Sequence, residues 1–333
     1  MSETAQLTPS IQSIRQPVLA DLEALNTLIK QELNSNIPLI EDIIHYVLQS
    51  GGKRARPLLL LLCARACGYQ ADIPEHHEIA CVIEFIHTAT LLHDDVVDNS
   101  DRRRGAETAN AVWSNQASVL VGDFLYSRAF QILARRDNIP VMRVLADTTN
   151  QIAEGEMLQL ANQHTADLSI DNYYRVIKAK TASLFAAASE IGARLAQPDN
   201  TELHQSFNQL GMELGLAFQI VDDMLDYLGD TTLTGKNLGD DLQEGKVTLP
   251  VIYAIEKSSA EQADALTAIL QQGDASQFEQ VLQAIQQTDA AEACRVTAQQ
   301  HIDTGLQLLS AVPASPYKQA ITDLFAFVMQ RDV

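Results

Sequence analysis

The chain has 333 residues, of which 46% are hydrophobic, and its formal net charge is −20 at pH 7. This length is enough for one large hydrophobic core or for two smaller ones, and composition alone does not choose between them. The acidic balance excludes a generally basic surface, so we predict no nucleic-acid partner.

From the sequence we predict neither a targeting segment nor a membrane segment. The longest uninterrupted apolar run, 58–64, is too short for a bilayer core of about 30 Å, so no integral membrane segment is predicted. The opening stretch, 1–16, lacks the basic and apolar regions of a secretory signal, which predicts a cytoplasmic location. The cysteines form no C-x-x-C pair and lie in helix-like segments, so we interpret them as buried thiols. They are Cys63, Cys67, Cys81 and Cys294.

Helical periodicity recurs along almost the whole chain, and runs of alternating β-branched residues are essentially absent. In chain order, the predicted helices are VLADLEALNTLIKQEL, LIEDIIHYVLQS, RPLLLLLCARAC, EIACVIEFIHTATLLHDDVVD, SVLVGDFLYSRAFQILARR, VMRVLADTTNQIAEGEMLQLAN, YYRVIKAKTASLFAAASEIGARLA and the segment through GMELGLAFQIVDDMLDYL. Several are apolar nearly all round and use small residues such as Gly211 and Gly215, which is typical of interior helices. The sequence therefore predicts an all-α fold, a large helical bundle around a central cavity. Because no long linker interrupts it, we predict a single domain over 1–333, with roughly residues 1–20 peripheral.

Two of these helices carry the same acidic motif, Asp-Asp-x-x-Asp, in an apolar context. The motifs comprise Asp94, Asp95 and Asp98, and Asp222, Asp223 and Asp226. Residues four apart share a helix face, so the first and last carboxylates of each motif repel one another. One such motif alone is more often a solvated helix face, but two in matching contexts predict a bound cation. Clustered carboxylates suit Mg²⁺, which also takes water and phosphate oxygens, so two facing helices would hold a metal-bound polyphosphate.

Basic residues cluster at two places that suit an anionic ligand. Lys53, Arg54 and Arg56 precede Pro57 at a helix start, where backbone N–H groups also favour an anion. A second cluster, 102–104, follows the first aspartate motif and consists of arginines, which bind phosphate bidentately. Either cluster alone is more often a solvated surface, but their positions favour phosphate binding.

Three other features bear on the site. His87 lies two helical turns before Asp94 on nearly the same face, within reach of a phosphate oxygen. The glycine-rich stretch GDTTLTGKNLGDDLQEGKVTLP follows the second motif and is predicted to be a lid. From about Ser258, the chain reads as helices that serve packing or an oligomer surface.

A series of segments resembles the motifs of a known family. In chain order they are GGKRARP, IHTATLLHDDVVDNSDRRRG, VGDFLYSRAF, IAEGEMLQL, KTASLFAAASEIG, FQIVDDMLDY and GKNLGDDLQEGKVTLP. They closely resemble the trans (E-type) polyprenyl diphosphate synthases, most nearly the bacterial octaprenyl diphosphate synthases. The resemblance implies the all-α terpenoid-synthase fold and a homodimer. It also implies Mg²⁺-dependent successive addition of isopentenyl diphosphate to an allylic diphosphate such as farnesyl diphosphate.

The same resemblance implies a role for individual residues. The Mg²⁺ ligands would be Asp94, Asp98, Asp222 and Asp226, supported by Asp95 and Asp223, and Arg103 would contact the allylic diphosphate. The isopentenyl diphosphate would be held by Lys53, Arg56, His87 and Arg104. The groups beside the reacting carbons would be Lys180, Thr181 and Gln219, and those closing on phosphate from the lid would be Lys236 and Lys246.

Product length is also implied by the resemblance. Ala89 and Thr90, about one turn before Asp94, are small where short-chain relatives carry bulky aromatic residues, which leaves the path open for a long product, octaprenyl diphosphate, used for a respiratory quinone. Leu133 and Leu145 are the predicted floor of this path. So lipophilic a product suggests transient membrane contact at release. The alternatives are a terpene cyclase and a non-catalytic subunit of a two-component prenyl synthase, and two intact aspartate motifs argue against both.

Overall fold

The computed structural model describes residues 9–49, 52–70, 74–103, 105–165, 168–229 and 238–330. Its helices are α1 (Ile11–Arg15), α2 (Leu19–Glu32), α3 (Pro38–Gln49), α4 (Ala55–Ala66), α5 (Glu75–Val97), α6 (Ala109–Val112), α7 (Asn115–Arg136), α8 (Ile139–Asn162), α9 (Ile170–Ile177), α10 (Ser183–Ala196), α11 (Thr201–Leu228), α12 (Asp240–Gln243), α13 (Leu249–Lys257), α14 (Ala260–Gln272), α15 (Phe278–Gln287), α16 (Ala290–Leu308) and α17 (Pro316–Met329). A π-helical turn, Lys178–Ala182, joins α9 to α10. The strands β1 (Arg102–Arg103) and β2 (Ala106–Glu107) pair antiparallel in a short hairpin. The all-α prediction is confirmed.

The most apolar helices lie at the centre of the molecule. In α4 every residue from Pro57 to Ala64 is buried, and most of α10 is buried as well. Helix α10 packs against both α4 and α11, and α5 packs against α7. Small residues permit this close approach, since a Cβ on Gly211 would lie 2.3 Å from the carbonyl oxygen of Phe185 on α10. The prediction of interior helices is confirmed.

The N-terminal segment belongs to the packed structure. Ile14 and Val18 are buried in the main core, and α1 packs against α17 near the other end of the chain. The prediction that roughly residues 1–20 are peripheral is therefore wrong from Ile11 onward. The apolar positions of this segment extend over barely two helical turns, which is too short for periodicity to identify a packed helix.

A second, smaller apolar cluster lies around the C-terminal end of α11. Tyr227 and Leu242 are fully buried in it, among residues of α13, α14 and α15. The predicted lid runs between α11 and α13. Its residues 230–237 lie outside the described part of the chain, and its remainder contains α12.

The interpretation of the cysteines as buried thiols is confirmed for three of the four. All four cysteines are free; Cys63, Cys81 and Cys294 are buried and Cys67 is half-buried. Within the ranges described, no helix combines the length and apolarity that crossing a membrane requires.

Candidate active site

A cavity of about 1140 Å³ lies between α4, α5, α8, α10 and α11. Part of its wall is polar and carries both aspartate motifs. The rest is apolar and includes Leu91, Ile152, Leu184, Leu214 and Phe218. A cavity with one charged region and one apolar region suits a ligand with a polar head group and a hydrocarbon tail.

Most of the residues predicted from sequence to form the site line this cavity. They are Lys53, Arg56, His87, Thr90, Asp94, Asp95, Asp98, Arg103, Lys180, Thr181, Gln219, Asp222, Asp223, Asp226 and Lys246. Arg104 and Lys236 lie outside the described residues. Helices α5 and α11 therefore present their motifs to the same space, as the sequence predicted.

Three of the four residues predicted to set product length are not part of the cavity wall. Ala89, Leu133 and Leu145 are buried, but only Thr90 lines the cavity. Ala89 precedes Asp94 by five residues, which places it about 140° round the axis of α5. At this angle Ala89 lies about one helical turn from Asp94 but does not line the cavity. The roles of these three residues in product length stay predictions.

The first motif is already paired with cations from other elements. The ammonium of Lys180 lies 3.5 Å from Asp94 Oδ2, and that of Lys246 lies 3.0 Å from Asp98 Oδ2. Arg103, on β1, donates from Nε to Asp95 Oδ1 at 2.7 Å. The hairpin, the π-helical turn and the segment after α12 thus each bring one positive charge to α5.

A chain of hydrogen bonds from other elements holds the second motif in place. Asp223 is buried and accepts from Tyr173 Oη and from Gln219 Nε2, both at 2.7 Å. Gln219 in turn accepts at Oε1 from Thr181 Oγ1 at 2.7 Å. Burial raises the pKa of Asp223, and the negative charge of Asp241 raises it further. These bonds fix the face of α11 that points Asp222 and Asp226 towards the cavity.

The π-helical turn explains how Lys180 and Thr181 reach the site. An extra residue in such a turn redirects side chains, and π-turns are common at functional sites. Two glycines let neighbouring helices pack tightly on it. A Cβ on Gly155 of α8 would lie 2.8 Å from the backbone nitrogen of Lys180. A Cβ on Gly215 of α11 would lie 2.5 Å from the Cα of Ala182.

The basic wall lies at the start of α4. Arg56 Nη1 is 3.1 Å from His87 Nε2 on α5, and the guanidinium lies over the ring of Phe185, 4.4 Å from its centroid. Lys53 Nζ lies 4.6 Å from the ring centroid of Phe327 on α17. Arg56 and Lys53 are therefore both steered by aromatic rings, which attract cations.

Sequence reasoning missed several residues of the cavity. Glu156 of α8 accepts from Lys180 Nζ at 2.7 Å, and burial followed by the charge of Asp94 raises the pKa of Glu156 to about 7. Tyr173 supports the second motif, and Phe327 brings the C-terminal helix to the wall. The only signal for Glu156 was an acidic residue among apolar neighbours in IAEGEMLQL. Tyr173 and Phe327 gave no signal distinct from core packing.

The carboxylates of both motifs fit Mg²⁺. They offer oxygen ligands only, and they attract cations, as Lys180 and Lys246 show. Among the described residues, no three of these carboxylates converge as closely as one complete protein cage requires. Mg²⁺ typically takes one or two carboxylates and completes its shell with water and phosphate oxygens, so the donor set suits it.

Comparison with known proteins decides the family. A model of the family described as polyprenyl synthetase matches residues 37–288. The chain belongs to the polyprenyl synthetase family. It is therefore a prenyltransferase.

Individual relatives cover nearly the whole of this polyprenyl synthetase. The octaprenyl diphosphate synthase of Escherichia coli is 43% identical over 97% of the chain and 99% of that protein. The all-trans-nonaprenyl-diphosphate synthase (geranyl-diphosphate specific) of Rhodobacter capsulatus is 42% identical over 96% of the chain and 98% of that protein. A polyprenyl synthase from Caulobacter crescentus, solved with calcium and isoprenyl diphosphate, superposes with a TM-score of 0.93 at 38% identity, covering 98% of this chain and 100% of that one.

Proposed function

We propose that the protein is a long-chain trans-polyprenyl diphosphate synthase that makes octaprenyl diphosphate for a quinone side chain. It extends an allylic diphosphate, such as farnesyl diphosphate, by repeated addition of isopentenyl diphosphate. The observation that carries this proposal is that one cavity combines three kinds of lining. The acidic wall consists of the aspartates of both motifs, the basic wall consists of Lys53, Arg56 and His87, and the rest of the lining is apolar. Similarity to the octaprenyl diphosphate synthase of Escherichia coli supports the product length.

The acidic wall would bind the allylic diphosphate through metal ions. In this proposal Asp94, Asp98, Asp222 and Asp226 hold Mg²⁺. Asp95 and Asp223 support them through the hydrogen bonds to Arg103 and to Tyr173 and Gln219. Mg²⁺, when bound, would neutralise the diphosphate and stabilise the charge that develops on its departing oxygen. The related Caulobacter structure was solved with calcium and isoprenyl diphosphate, which supports the use of a divalent ion here.

The basic wall would bind isopentenyl diphosphate without a metal ion. Lys53, Arg56 and His87 all line the cavity, and cationic side chains of this kind bind diphosphate oxygens. Arg104 and Lys236 are proposed to contribute as well. Two anions of the same kind are thus kept apart, because one site uses carboxylates with a cation and the other uses cationic side chains.

Between these two sites, protein side chains would orient the hydrocarbon parts of the two substrates for reaction. Departure of diphosphate leaves an allylic cation, and the isopentenyl double bond attacks it to form the new carbon–carbon bond and a tertiary cation. The carbon beside that tertiary cation then loses a proton to the released diphosphate, which forms the new double bond. In this proposal Lys180, Thr181 and Gln219, which line the cavity, orient the reacting carbons, and Lys246 binds the departing diphosphate. The apolar wall excludes water, which would otherwise trap the cation as an alcohol.

Product analysis tests this function. The purified protein is incubated with Mg²⁺, farnesyl diphosphate and isotopically labelled isopentenyl diphosphate, and the products are measured by mass spectrometry. We expect octaprenyl diphosphate as the main product. Nonaprenyl or decaprenyl diphosphate would contradict the length alone, whereas cyclised products or no turnover would contradict the function.

Thr90 offers a test of how the cavity limits the product. Replacing Thr90 with phenylalanine places a ring on the cavity wall one turn before Asp94, so the growing chain should be blocked earlier. We expect shorter main products by mass spectrometry at a comparable rate of the first condensation. Thr304→Phe, at an exposed position on α16, is the matched control and should leave product length unchanged. Octaprenyl product from Thr90→Phe would show that the chain grows along another path.

Assembly and location are part of the same proposal. We propose a homodimer of single-domain chains, supported by exposed apolar side chains on neighbouring helices. These include Leu120 and Phe130 on α7 and Met157 on α8. Four free cysteines suit a reducing, cytoplasmic location. The product, which is largely hydrocarbon, would leave through transient contact with a membrane.

A further inference from the structure

Arg15, at the end of α1, contacts the loop that carries the basic wall. Its Nη2 donates to the carbonyl oxygen of Lys53 at 2.7 Å. Helix α1 is anchored behind this contact by Ile14, which is fully buried, and Ile11 reaches the cavity wall itself. The hydrogen bond therefore joins a packed helix to the loop before α4. Helix α1 lies before residues 37–288, the segment that the family model matches.

The carbonyl of Lys53 is a sensitive point in this loop. It belongs to the peptide that leads into Arg54, which adopts a left-handed conformation with φ 47° and ψ 43°. A non-glycine residue held this way costs on the order of 1 kcal/mol or more and persists only when its surroundings enforce it. Because a peptide is planar, fixing the carbonyl of Lys53 also fixes the nitrogen of Arg54 and the direction in which α4 begins. Arg15 thus helps to enforce the turn.

The positive charge of Arg15 also favours binding of an anion at this loop. Burial lowers the pKa of Arg15, and the nearby positive charge of Arg54 lowers it further. The guanidinium is therefore close enough to add to the positive potential of the loop. In a chain of net charge −20, such a local concentration of positive charge has to be assembled from specific residues.

We propose that Arg15 is a positioning residue for the diphosphate of isopentenyl diphosphate, acting through the Lys53–Arg54 peptide. The inference rests on the proposed function, since it takes Lys53 and Arg56 to be the binding groups for that diphosphate. Arg15 itself does not touch the substrate. Helix α1 thereby contributes to the binding of isopentenyl diphosphate.

Steady-state kinetics of Arg15→Gln test the proposal. With the loop released, the KM for isopentenyl diphosphate should rise about tenfold, the effect of losing one hydrogen bond from a charged donor. The kcat and the KM for farnesyl diphosphate should stay within about twofold, because the acidic wall is untouched. Arg15→Lys keeps the charge and a donor and should restore the KM to within about threefold of wild type. Lys30→Gln, an exposed change on α2, is the matched control and should change none of these values.

Two outcomes would overturn the proposal. One is an unchanged KM for isopentenyl diphosphate in Arg15→Gln. The other is an equal rise in both KM values together with a lower Tm, which would make Arg15 a purely structural anchor of α1.

A binding measurement separates this proposal from the proposed function. If the wild-type protein does not consume isopentenyl diphosphate, the function fails, and the role of Arg15 is then decided by calorimetry with inorganic pyrophosphate. Divalent ions are chelated in that experiment so that the carboxylates repel the anion. Weaker binding to Arg15→Gln than to wild type and Lys30→Gln would support the positioning role, and equal binding to all three would overturn it.

Discussion

Replacing either Asp94 or Asp222 with asparagine is expected to lower kcat by about a thousandfold or more, because each change removes the charge of a ligand that we propose for Mg²⁺ at the departing diphosphate. The asparagine keeps the shape of the side chain and can still coordinate weakly through its carbonyl oxygen. Its loss of charge lowers the affinity for Mg²⁺, so part of the activity should return at high Mg²⁺ concentration. The measurement is turnover of labelled isopentenyl diphosphate over a range of Mg²⁺ concentrations.

The same two variants should fold normally. Both carboxylates line the cavity, and neither belongs to the apolar core that holds α5 and α11 together. We expect circular dichroism and Tm close to wild type for both. Asp264→Asn, an exposed change on α14, is the matched control and should keep full turnover. Activity of Asp94→Asn or Asp222→Asn within about tenfold of wild type, at ordinary Mg²⁺, would contradict the metal assignment.

The sequence predicted the helices and the place of each aspartate motif on its helix because both depend on local pattern. The apolar period along α5 and α11 predicts a helix and its buried face, and Asp94 and Asp222 lie at equivalent places on two such faces. Repulsion within each motif then indicates a cation. None of these steps needs the packing of one helix against another.

The rest of the site depends on packing between distant segments. The bonds of Tyr173 to Asp223 and of Arg15 to Lys53 join residues that are 50 and 38 positions apart. No local pattern marks such a pair. Ala89 shows the same limit in another form, since its depth along α5 follows from sequence but its distance from the cavity depends on how α5 is rotated against its neighbours.

Lys180→Gln is expected to lower kcat by about a hundredfold to a thousandfold, as loss of a preorganised charge at a developing charge does. Its ammonium lies between Asp94 Oδ2, at 3.5 Å, and Glu156 Oε2, at 2.7 Å. Burial by itself would lower the pKa of Lys180, but these two carboxylates outweigh it and raise the pKa, so the side chain stays charged. Turnover of labelled isopentenyl diphosphate measures the effect.

Two companion variants show whether the charge or its placement matters at Lys180. Glu156→Gln leaves the ammonium in place and removes only one of its partners, so we expect a loss in kcat of about tenfold or less. Lys178→Gln, an exposed change in the same π-helical turn, is the matched control and should keep full turnover. Equal losses in Lys180→Gln and Lys178→Gln would mean that the turn tolerates neither substitution and that Lys180 has no special role. A loss in Lys180→Gln that is absent from Lys178→Gln and larger than that of Glu156→Gln is the result that a charge acting on the substrate requires.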